Sequence, residues 1–457
     1  MILKYQDESK PASSSGKNSK TPGLQSRLVA TTLLTRVLDD GRNIDALCDR
    51  EHGLDIFLAL SESDCNLARA IVMTALRHHR PIEEAIKLTS NRPLPKKARF
   101  LIHSLHVALA QILYMDVPES AAVNLAVSAI KHDKRTTRFK DFANAVLRRA
   151  VREEETLKET IDAVPLFPIW FEKQLRKDFG RKKTQQISRI LSSQPKVDVT
   201  VKDRSDHWAE LLDGIVLPNG SIRLRTTKSV RSLAGYEAGE WWVQDVAASL
   251  PAKLIELPEA SHVLELCAAP GGKTAQLLNA GYKVTALDIS SNRLQRLKAN
   301  LSRLKFEAEC LAADILEFEP DTLYDAVLLD APCSSTGTIR RHPDVLWTRS
   351  QSEIAELAEL QFRLLSKARS FLKPGGVLVF SNCSMFKQEG EDLLARAIKA
   401  FPDLTLDKLQ PTETSAFSAL INGQGAFRSL PFDFSTPEDP EFHGMDGFFA
   451  CRFIKQA

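Results

Sequence analysis

The chain of 457 residues is longer than the roughly 100 to 200 residues of one ordinary domain, so two or more domains are expected. Lysine and arginine number 61 against 58 aspartate and glutamate residues, and the resulting net charge of +3 excludes a polybasic protein. Any nucleic-acid surface must therefore be a local patch. With 43% hydrophobic and 26% charged residues, the composition excludes a largely disordered chain and is typical of a globular protein.

The seven cysteines are scattered and include no Cys-x-x-Cys pair, which argues against a thiolate zinc site and a disulfide framework. We expect reduced thiols and no metal. No apolar run approaches the roughly 20 residues that a membrane span needs. Residues 1–23 lack the apolar core of a signal peptide and are predicted to form a disordered tail. A cytoplasmic protein with no membrane partner is therefore expected.

The first folded segment is predicted to be an all-helical domain over residues 24–155. Apolar residues recur there at helical spacing, as in RLVATTLLTRVLDD and FLIHSLHVALAQILYM, with few β-branched runs between them. Basic residues gather near its end, where they form either a positive surface that binds RNA or the solvated face of ordinary helices. The candidate RNA-binding residues are Lys131, Lys134, Arg135, Arg138, Arg148 and Arg149.

A small mixed α/β connecting domain is predicted over residues 156–239. The segment FPIWFEKQLRKDFGRKKTQQISRIL has helical periodicity, and VDVTVKD and SIRLR are typical of short strands. A second basic cluster in this domain would extend the first positive surface if the two domains packed side by side. It consists of Arg176, Lys177, Arg181, Lys182 and Lys183.

Residues 240–457 alternate between short apolar runs and amphipathic segments. The apolar runs include HVLELC, KVTALDI, YDAVLLDAP and GGVLVFSNCS, and segments with helical periodicity lie between them. This alternation predicts a doubly wound, mainly parallel sheet of the Rossmann-like α/β class. In such a fold the ligand lies at the carboxyl ends of the strands.

Small residues follow the first predicted strand, where they allow the backbone to approach a ligand at the start of a helix. The closing Gly-Lys-Thr resembles a P-loop, but Cys267 occupies the position of that motif's first glycine, so ATP hydrolysis is not expected. A nucleoside-type cofactor is expected against this turn. The turn consists of Cys267, Ala268, Ala269, Pro270, Gly271, Gly272 and Lys273.

Acidic residues end the next two predicted strands. Asp288 can accept both hydrogen bonds of a ribose diol. Asp314 can accept from an exocyclic amine or cap the following helix, and both roles stay open. The ordered set of Gly271, Asp288 and Asp314 suits S-adenosylmethionine better than NAD, because the Gly-x-Gly-x-x-Gly fingerprint of dinucleotide sites is missing.

Two thiols also follow predicted strands, Cys333 shortly after Asp330 and Cys383 in the sequence SNCS. Methylation at carbon 5 of a cytosine requires such a thiol, because that carbon is electron-poor until a thiolate adds to carbon 6. A carboxyl group such as Asp330 could hydrogen-bond ring nitrogen 3 and take up the developing charge. A base must then remove the carbon 5 proton, and the sequence does not identify it.

These motifs together resemble the Sun family of RNA cytosine-5 methyltransferases, and the domain order resembles bacterial small-subunit rRNA enzymes with a NusB-like head. The resemblance rests on Gln244-Asp245, CAAPGGKT, LDIS with Asn292-Arg293-Leu294, DAPCS with GTIRRHPDVLW, and Asp446-Gly447-Phe448-Phe449. It implies that the substrate is small-subunit ribosomal RNA. We expect no obligatory protein partner. The fold it implies is that of a class I S-adenosylmethionine methyltransferase.

The resemblance also assigns roles to single residues. It implies that Cys383 is the nucleophile, which forms a covalent intermediate with cytosine, and that Cys333 assists product release. The implied cofactor contacts are residues 267–273, Asp288, Arg293, Asp314 and Asp330.

The chain departs from the family pattern at three positions. Asn382 and Phe380 stand where the family commonly has Thr and Tyr, and Ala75 stands where NusB-like segments usually have glycine. Two alternatives remain open at this point. One is a DNA cytosine-5 methyltransferase in which Cys333 is the nucleophile, and the other is a non-catalytic RNA-binding or antitermination factor.

Overall fold

The residues described by the structure, a computed structural model, are 21–226, 228–413, 415–435 and 442–456. Residues 1–20 of the predicted N-terminal tail lie outside the described residues. Contacts within the chain separate two units. The first holds residues 21–36, 45–75 and 82–161, and the second holds residues 37–44, 76–81 and 162–456.

Helices form the N-terminal part of the described chain. They are α1 (Leu24–Leu38), α2 (Ile44–Leu47), α3 (Asp55–Leu58), α4 (Glu62–Arg77), α5 (His79–Thr89), α6 (Arg99–Tyr114), α7 (Glu119–His132), α8 (Lys140–Arg152) and α9 (Glu154–Asp162). Every side chain of α6 from 105 to 113 is buried, so α6 is a central helix of the first unit. In α8 the buried Ala143, Val146, Leu147 and Ala150 recur at spacings of three and four residues, which leaves the opposite face polar. The prediction of a helical head is confirmed.

A bent helix and a small antiparallel sheet follow. They are α10 (Ile169–Leu191), β1 (Asp198–Val201), α11 (Ser205–Leu211), β2 (Gly214–Val216), β3 (Ile222–Leu224) and β4 (Trp241–Val243). α10 bends at Gly180, whose backbone φ of 76° suits glycine. The strands pair in the order β2-β3-β1-β4, and Val199, Ile222 and Trp241 pack in one apolar cluster. β4 joins this sheet although it lies beyond residue 239.

The remaining residues form the strands and helices of a larger sheet. The strands are β5 (His262–Leu266), β6 (Lys283–Asp288), β7 (Glu309–Ala312), β8 (Tyr324–Asp330), β9 (Leu372–Asn382), β10 (Leu404–Asp407), β11 (Phe427–Ser429) and β12 (Phe448–Lys455). The helices are α12 (Leu250–Lys253), α13 (Gly272–Asn279), α14 (Ser291–Arg303), α15 (Val345–Thr348), α16 (Gln351–Ala368) and α17 (Glu391–Ala400). Across the described residues, no helix combines the length and apolarity that crossing a bilayer demands.

The strand order of the larger sheet is β10-β12-β9-β8-β5-β6-β7, and β11 pairs with β12. Strands β5 to β9 run parallel, whereas β12 is antiparallel to both of its neighbours in this order. The prediction of a doubly wound, mainly parallel sheet is therefore confirmed. After β5 the chain turns to β6 on one side and later to β8 on the other, and ligands bind at such a switch point.

Both faces of the sheet are covered, as the near-continuous apolar sequence of its strands predicts. Neighbouring residues alternate between two apolar clusters. Leu264 and Leu329 belong to one cluster, and Val263 and Leu328 belong to the other. The helices therefore enclose the sheet from both sides, and its carboxyl edge is the place where polar side chains converge.

Candidate active site

The turn after β5 is shaped for close backbone packing. Cys267 has a backbone φ of 60° and Gly271 one of 99°, both in the left-handed region. A Cβ atom at Gly271 would lie 3.0 Å from Cγ of Leu297, so the turn packs tightly against α14. α13 begins at Gly272 directly behind the turn, and its first N–H groups have no partner within the helix.

Asp288 and Arg293 hold this turn in place. The buried Asp288 carboxylate accepts a hydrogen bond from the Ala269 N–H at 3.2 Å and another from the Ser290 N–H at 3.0 Å. Arg293 pairs with Asp288 at 3.2 Å and donates to the Ala269 carbonyl at 2.5 Å. The structure thus brings Asp288, Arg293 and the predicted turn together.

Asp314 lies two residues beyond the end of β7. It is exposed, and one of its carboxylate oxygens accepts from the Leu316 N–H at 2.9 Å. This contact is the local turn bond expected of an aspartate ahead of a helical turn. Both roles considered for Asp314 stay compatible with its position at the carboxyl edge.

The two predicted thiols meet. Sγ of Cys333 and Sγ of Cys383 lie 3.4 Å apart, within the range of a thiol hydrogen bond. A hydrogen bond from Cys333 lowers the pKa of Cys383, and Ser335 acts in the same direction. The same sulfur contact, together with burial, raises the pKa of Cys333. The pKa values of the two thiols therefore move apart, and Cys383 is the one that ionises more readily.

Asp330 lies beside the thiols at the end of β8. One carboxylate oxygen pairs with Nζ of Lys273 at 2.6 Å, and the other accepts from Oγ of Ser381 at 3.0 Å. Lys273 also lies 5.1 Å from the centre of the Phe448 ring. The contact between Lys273 and Asp330 links the turn after β5 to the thiol site.

A buried polar network, which sequence analysis missed, lies behind the thiols. Its centre is the carboxylate of Glu389, which is fully buried. The carboxylate accepts from the Ser334 N–H at 2.9 Å and from Oγ of Ser384 at 2.5 Å. Ser334 follows Cys333 and Ser384 follows Cys383, so this glutamate contacts both thiol-bearing turns.

A second buried group, also missed as a site, lies around Asp446. Arg341 forms an ion pair with Asp446 through two guanidinium nitrogens, with Nε at 3.1 Å from Oδ2. The Asp446 N–H donates to the Asp245 carboxylate at 3.0 Å, and burial raises the pKa of Asp245. The motif residues Asp245 and Asp446, which are distant in sequence, thus meet in the fold.

The main chains of three motifs pack directly on one another beside Cys383. The Gly337 N–H donates to the Cys383 carbonyl at 2.8 Å, and the Gly447 N–H donates to the Gly337 carbonyl at 2.9 Å. A Cβ atom at Gly337 would lie 1.8 Å from the Gly447 oxygen and 2.7 Å from the Cys383 oxygen. Only glycine fits between these two backbones.

Glu265 of β5 is a buried carboxyl group at the base of the same edge. Its Oε2 has no hydrogen-bond partner among the described residues, and burial raises its pKa to about 8. A carboxyl group in such surroundings is neutral at neutral pH because ionisation without a partner is expensive.

The structure divides the six candidate RNA-binding residues among different places. Arg135 and Arg138 line a cavity of about 640 Å³ in the first unit. Arg148 lines a different cavity of about 440 Å³, and Arg149 pairs with Glu153 at 3.0 Å. Lys131 and Lys134 are exposed and line neither of these two cavities.

A doubly wound sheet with a small-residue turn after β5, an acid at the end of β6 and thiols after β8 and β9 defines a Rossmann-like methyltransferase. A family model described as 16S rRNA methyltransferase RsmB/F matches residues 252–454, and the NusB family model matches residues 24–152. A ribosomal RNA small subunit methyltransferase B of Yersinia pestis is 32% identical over 94% of this chain and 98% of its own length. The corresponding protein of Cronobacter sakazakii is 31% identical over the same shares. The chain belongs to the ribosomal RNA small subunit methyltransferase B family, which confirms the predicted resemblance.

Solved structures share the fold. The crystal structure of PH0851 has a TM-score of 0.71 at 21% identity and covers 96% of this chain and 100% of that one. The structure of NSun6 from Pyrococcus horikoshii with SFG has a TM-score of 0.53 at 19% identity and covers 64% of this chain and 99% of that one.

The buried Glu265 predicts a pH dependence of stability. Its pKa of about 8 in the folded chain lies above its ordinary value of 4.5, so the folded state binds more protons between these values. Stability is therefore lost as the pH rises through this window, by about 1.4 kcal/mol per pH unit at most. Glu265→Gln should remove the loss and unfold at a higher temperature than the parent at pH 8. Thermal unfolding of both proteins from pH 5 to pH 9 tests this, and parallel curves would contradict it.

Gly337→Ala should separate the packed backbones beside Cys383. Overpacking of this kind costs about 1 to 3 kcal/mol, so the midpoint of thermal unfolding should fall. Gly423→Ala is the matched control, because no atom lies within 4 Å of a Cβ placed there. Equal unfolding midpoints for the two variants would show that the close packing of Gly337 against Cys383 and Gly447 tolerates a methyl group.

Proposed function

We propose that the chain transfers a methyl group to carbon 5 of a cytosine in small-subunit ribosomal RNA through a covalent bond to Cys383. As a member of its family, it is a ribosomal RNA methyltransferase that depends on S-adenosylmethionine. The observation that carries the cytosine-5 proposal is the 3.4 Å contact between the sulfurs of Cys333 and Cys383. A methyl transfer to oxygen or to an exocyclic nitrogen needs no thiol, whereas carbon 5 needs a nucleophile at carbon 6.

The turn after β5 has the features that a nucleoside cofactor needs. Its backbone is bare of large side chains, α13 directs N–H groups toward it, and the buried Asp288 adjoins it. When bound, S-adenosylmethionine supplies an electrophilic methyl group. We propose that residues 267–273 hold the amino acid part and that Asp288 holds the ribose hydroxyls. Arg293 covers the Asp288 carboxylate and is half exposed, so it has room to move aside or to share the carboxylate.

The residues around the thiols carry out the remaining steps of the proposed reaction. Cys383, whose pKa is lowered, attacks carbon 6 of the cytosine ring. Asp330, fixed by Lys273 and Ser381, accepts a hydrogen bond from ring nitrogen 3 once that nitrogen has taken a proton from solvent, and so stabilises the ring in which the charge of the attack is neutralised. Cys333 keeps its proton during the attack. After methyl transfer a base removes the carbon 5 proton, the bond from sulfur to carbon 6 breaks, and Cys383 leaves as a thiolate, a release that Cys333 assists.

The two alternatives have less support. A DNA methyltransferase with Cys333 as nucleophile would need the thiolate on the sulfur whose pKa is raised. A non-catalytic factor would have no need of two thiols in contact beside an ordered carboxylate. The family membership and the placement of Cys383 therefore favour the RNA enzyme.

The two cysteine variants should fail in different ways. Cys383→Ala should abolish methyl transfer and leave cofactor affinity nearly intact, because the turn and Asp288 belong to other strands. Cys333→Ala should still attack but release slowly, so an RNA-protein adduct should survive denaturing electrophoresis. The adduct should disappear in the double variant. Turnover by Cys383→Ala at the parent rate would move the nucleophile to Cys333.

Mass spectrometry of the product tests which nucleobase is methylated. Incubation of the parent enzyme with labelled cofactor and unmodified small-subunit ribosomal RNA should yield 5-methylcytidine. The same incubation with DNA should yield no methylated base. Label in DNA, or on another ribonucleoside, would overturn the proposed specificity.

The cavity lined by Arg135 and Arg138 is the proposed binding surface for the RNA strand. Its volume of about 640 Å³ falls in the roughly 300 to 1,000 Å³ of small-ligand sites. The rings of Phe100 and Phe139 line it, and the Arg138 guanidinium lies 4.8 Å from the centre of the Phe139 ring. Its basic lining residues are Arg36, Lys97, Arg99, Arg135 and Arg138.

Cations beside aromatic rings suit an unpaired strand, because phosphates bind the cations and bases stack on the rings. The carboxylate in the lining, Asp133, pairs with Arg135 at 2.9 Å, so the cavity keeps an excess of positive charge. An unpaired strand is also the form that can deliver a cytosine to a thiol, since a stacked base cannot reach it.

Neutralising the cavity should reduce the salt dependence of RNA binding. Each phosphate contact on a single strand contributes a slope of roughly −0.7 to the plot of log affinity against log salt. Lys97→Gln, Arg135→Gln and Arg138→Gln together should therefore flatten the slope by about 2. The matched control, Lys131→Gln, Lys134→Gln and Arg148→Gln, removes the same charge outside this cavity. Filter binding across a salt series compares both variants with the parent, and a parental slope for the cavity variant would exclude the cavity as the binding surface.

A further inference from the structure

Glu389 is a buried carboxylate that no step of the proposed reaction uses. Its partners are two N–H groups on one oxygen and two hydroxyls on the other. Oε1 accepts from the Ser334 N–H at 2.9 Å and from Nε2 of Gln361 at 2.8 Å. Oε2 accepts from Oγ of Ser334 at 2.5 Å and from Oγ of Ser384 at 2.5 Å. Among the described residues, every one of these donors is neutral.

The same neighbours join the two thiol-bearing turns by further bonds. Gln361 also donates to the Pro332 carbonyl at 3.0 Å, just ahead of Cys333. Asn382 donates to the Glu389 carbonyl at 2.7 Å and accepts from the Ser384 N–H at 3.0 Å. The side chain of Glu389 therefore binds both thiol-bearing turns, and its main-chain carbonyl binds Asn382 just ahead of Cys383.

An ordinary structural role does not account for this carboxylate. Glu389 lies two residues before the start of α17, but its carboxylate points to the thiol turns and not to the N–H groups of that helix. A buried charge without a cationic partner costs several kcal/mol of desolvation unless it is fully hydrogen-bonded. A carboxylate has acceptor sites for four donors, and here it meets three donors from the two turns and a fourth from Gln361 of α16.

We propose that Glu389 is a positioning residue that fixes the turns of Cys333 and Cys383 against each other, so that both sulfurs face the same cytosine. The inference rests on the proposed function, since it concerns the two thiols of that reaction. Its charge adds to the effect, because Glu389 contributes, after the sulfur contact and burial, to raising the pKa of Cys333. A protonated Cys333 is the donor that lowers the pKa of Cys383.

Two substitutions distinguish the positioning effect of the Glu389 side chain from the effect of its charge. Glu389→Gln keeps the shape, and its amide can face the two hydroxyls, which are able to reverse their roles. Glu389→Ala removes all four acceptor bonds. We expect kcat about tenfold lower in Glu389→Gln, as for one lost hydrogen bond to a charged group. In Glu389→Ala we expect a loss of about a hundredfold, as for a displacement of roughly 1 Å at the reacting atoms.

Thiol alkylation supplies a readout that uses neither RNA nor cofactor. The rate at which iodoacetamide modifies Cys383, followed by peptide mass spectrometry across a pH series, reports the pKa of that thiol. The midpoint should move to higher pH in Glu389→Gln and further in Glu389→Ala. Cofactor affinity by calorimetry should stay within about twofold of the parent, because Asp288 and the turn after β5 do not contact Glu389.

Glu359→Gln is the matched control, because it removes a glutamate from the same helix as Gln361 but from its exposed, Arg396-paired side. It should leave kcat and the alkylation midpoint unchanged. A folded Glu389→Gln with the parent's kcat and alkylation midpoint would overturn the inference, as would losses that only follow the unfolded fraction. Absence of 5-methylcytidine from the parent would instead overturn the proposed function and leave the alkylation result standing.

Discussion

The distance between two sulfur atoms depends on the pairing of β8 with β9. These strands are parallel neighbours in a register that places Asp330 opposite Ser381. Cys333 and Cys383 then follow at three and two residues beyond that pair, so both turns begin at the same height on the sheet. A shift of one residue in this register would exchange the faces of every side chain on the strand. The thiol chemistry therefore depends on sheet pairing. The strands bring the two turns together, and the turns set the final positions of the sulfurs.

Buried charge is concentrated at the carboxyl edge, and the acids there are stabilised in different ways. Asp330 has a lysine, Asp446 has an arginine, Glu389 has four neutral donors, and Glu265 is dominated by burial, with no hydrogen-bond partner for its Oε2 among the described residues. Ion pairing and hydrogen bonding offset the desolvation of a buried carboxyl group, and where burial dominates, as at Glu265, the pKa rises. One type of functional group is therefore accommodated in different ways at the same edge of the sheet.

Local sequence patterns contained most of the fold and part of the site. Periodicity predicted the helices of the head and the alternating elements of the sheet, and the small-residue turn and both thiols followed from their position after strands. Glu389 escaped because KQEGEDL has the composition of a solvated helix start, and its partners lie 5, 28 and 55 residues away in the chain. The sequence likewise did not show that Lys97 lines the same cavity as Arg135 and Arg138, because these residues are far apart in the chain. The pairing of Arg149 with Glu153, in contrast, has the four-residue spacing from which an ion pair on a helix can be predicted.

The position of β12 within the sheet has a consequence for synthesis of the protein on the ribosome. Residues 448–455 form an interior strand between β9 and β10, although they are translated after every other strand of the sheet. Until they leave the exit tunnel, the apolar strand β9 has an unpaired edge, which is the kind of surface that aggregates or recruits chaperones, and β10 lacks its partner strand. Phe448 and Phe449 arrive with the same strand. A nascent chain therefore completes the surroundings of the thiol site last, because Gly447 packs on Gly337 there. Premature termination upstream of residue 448 would separate β10 and β11 from the five parallel strands.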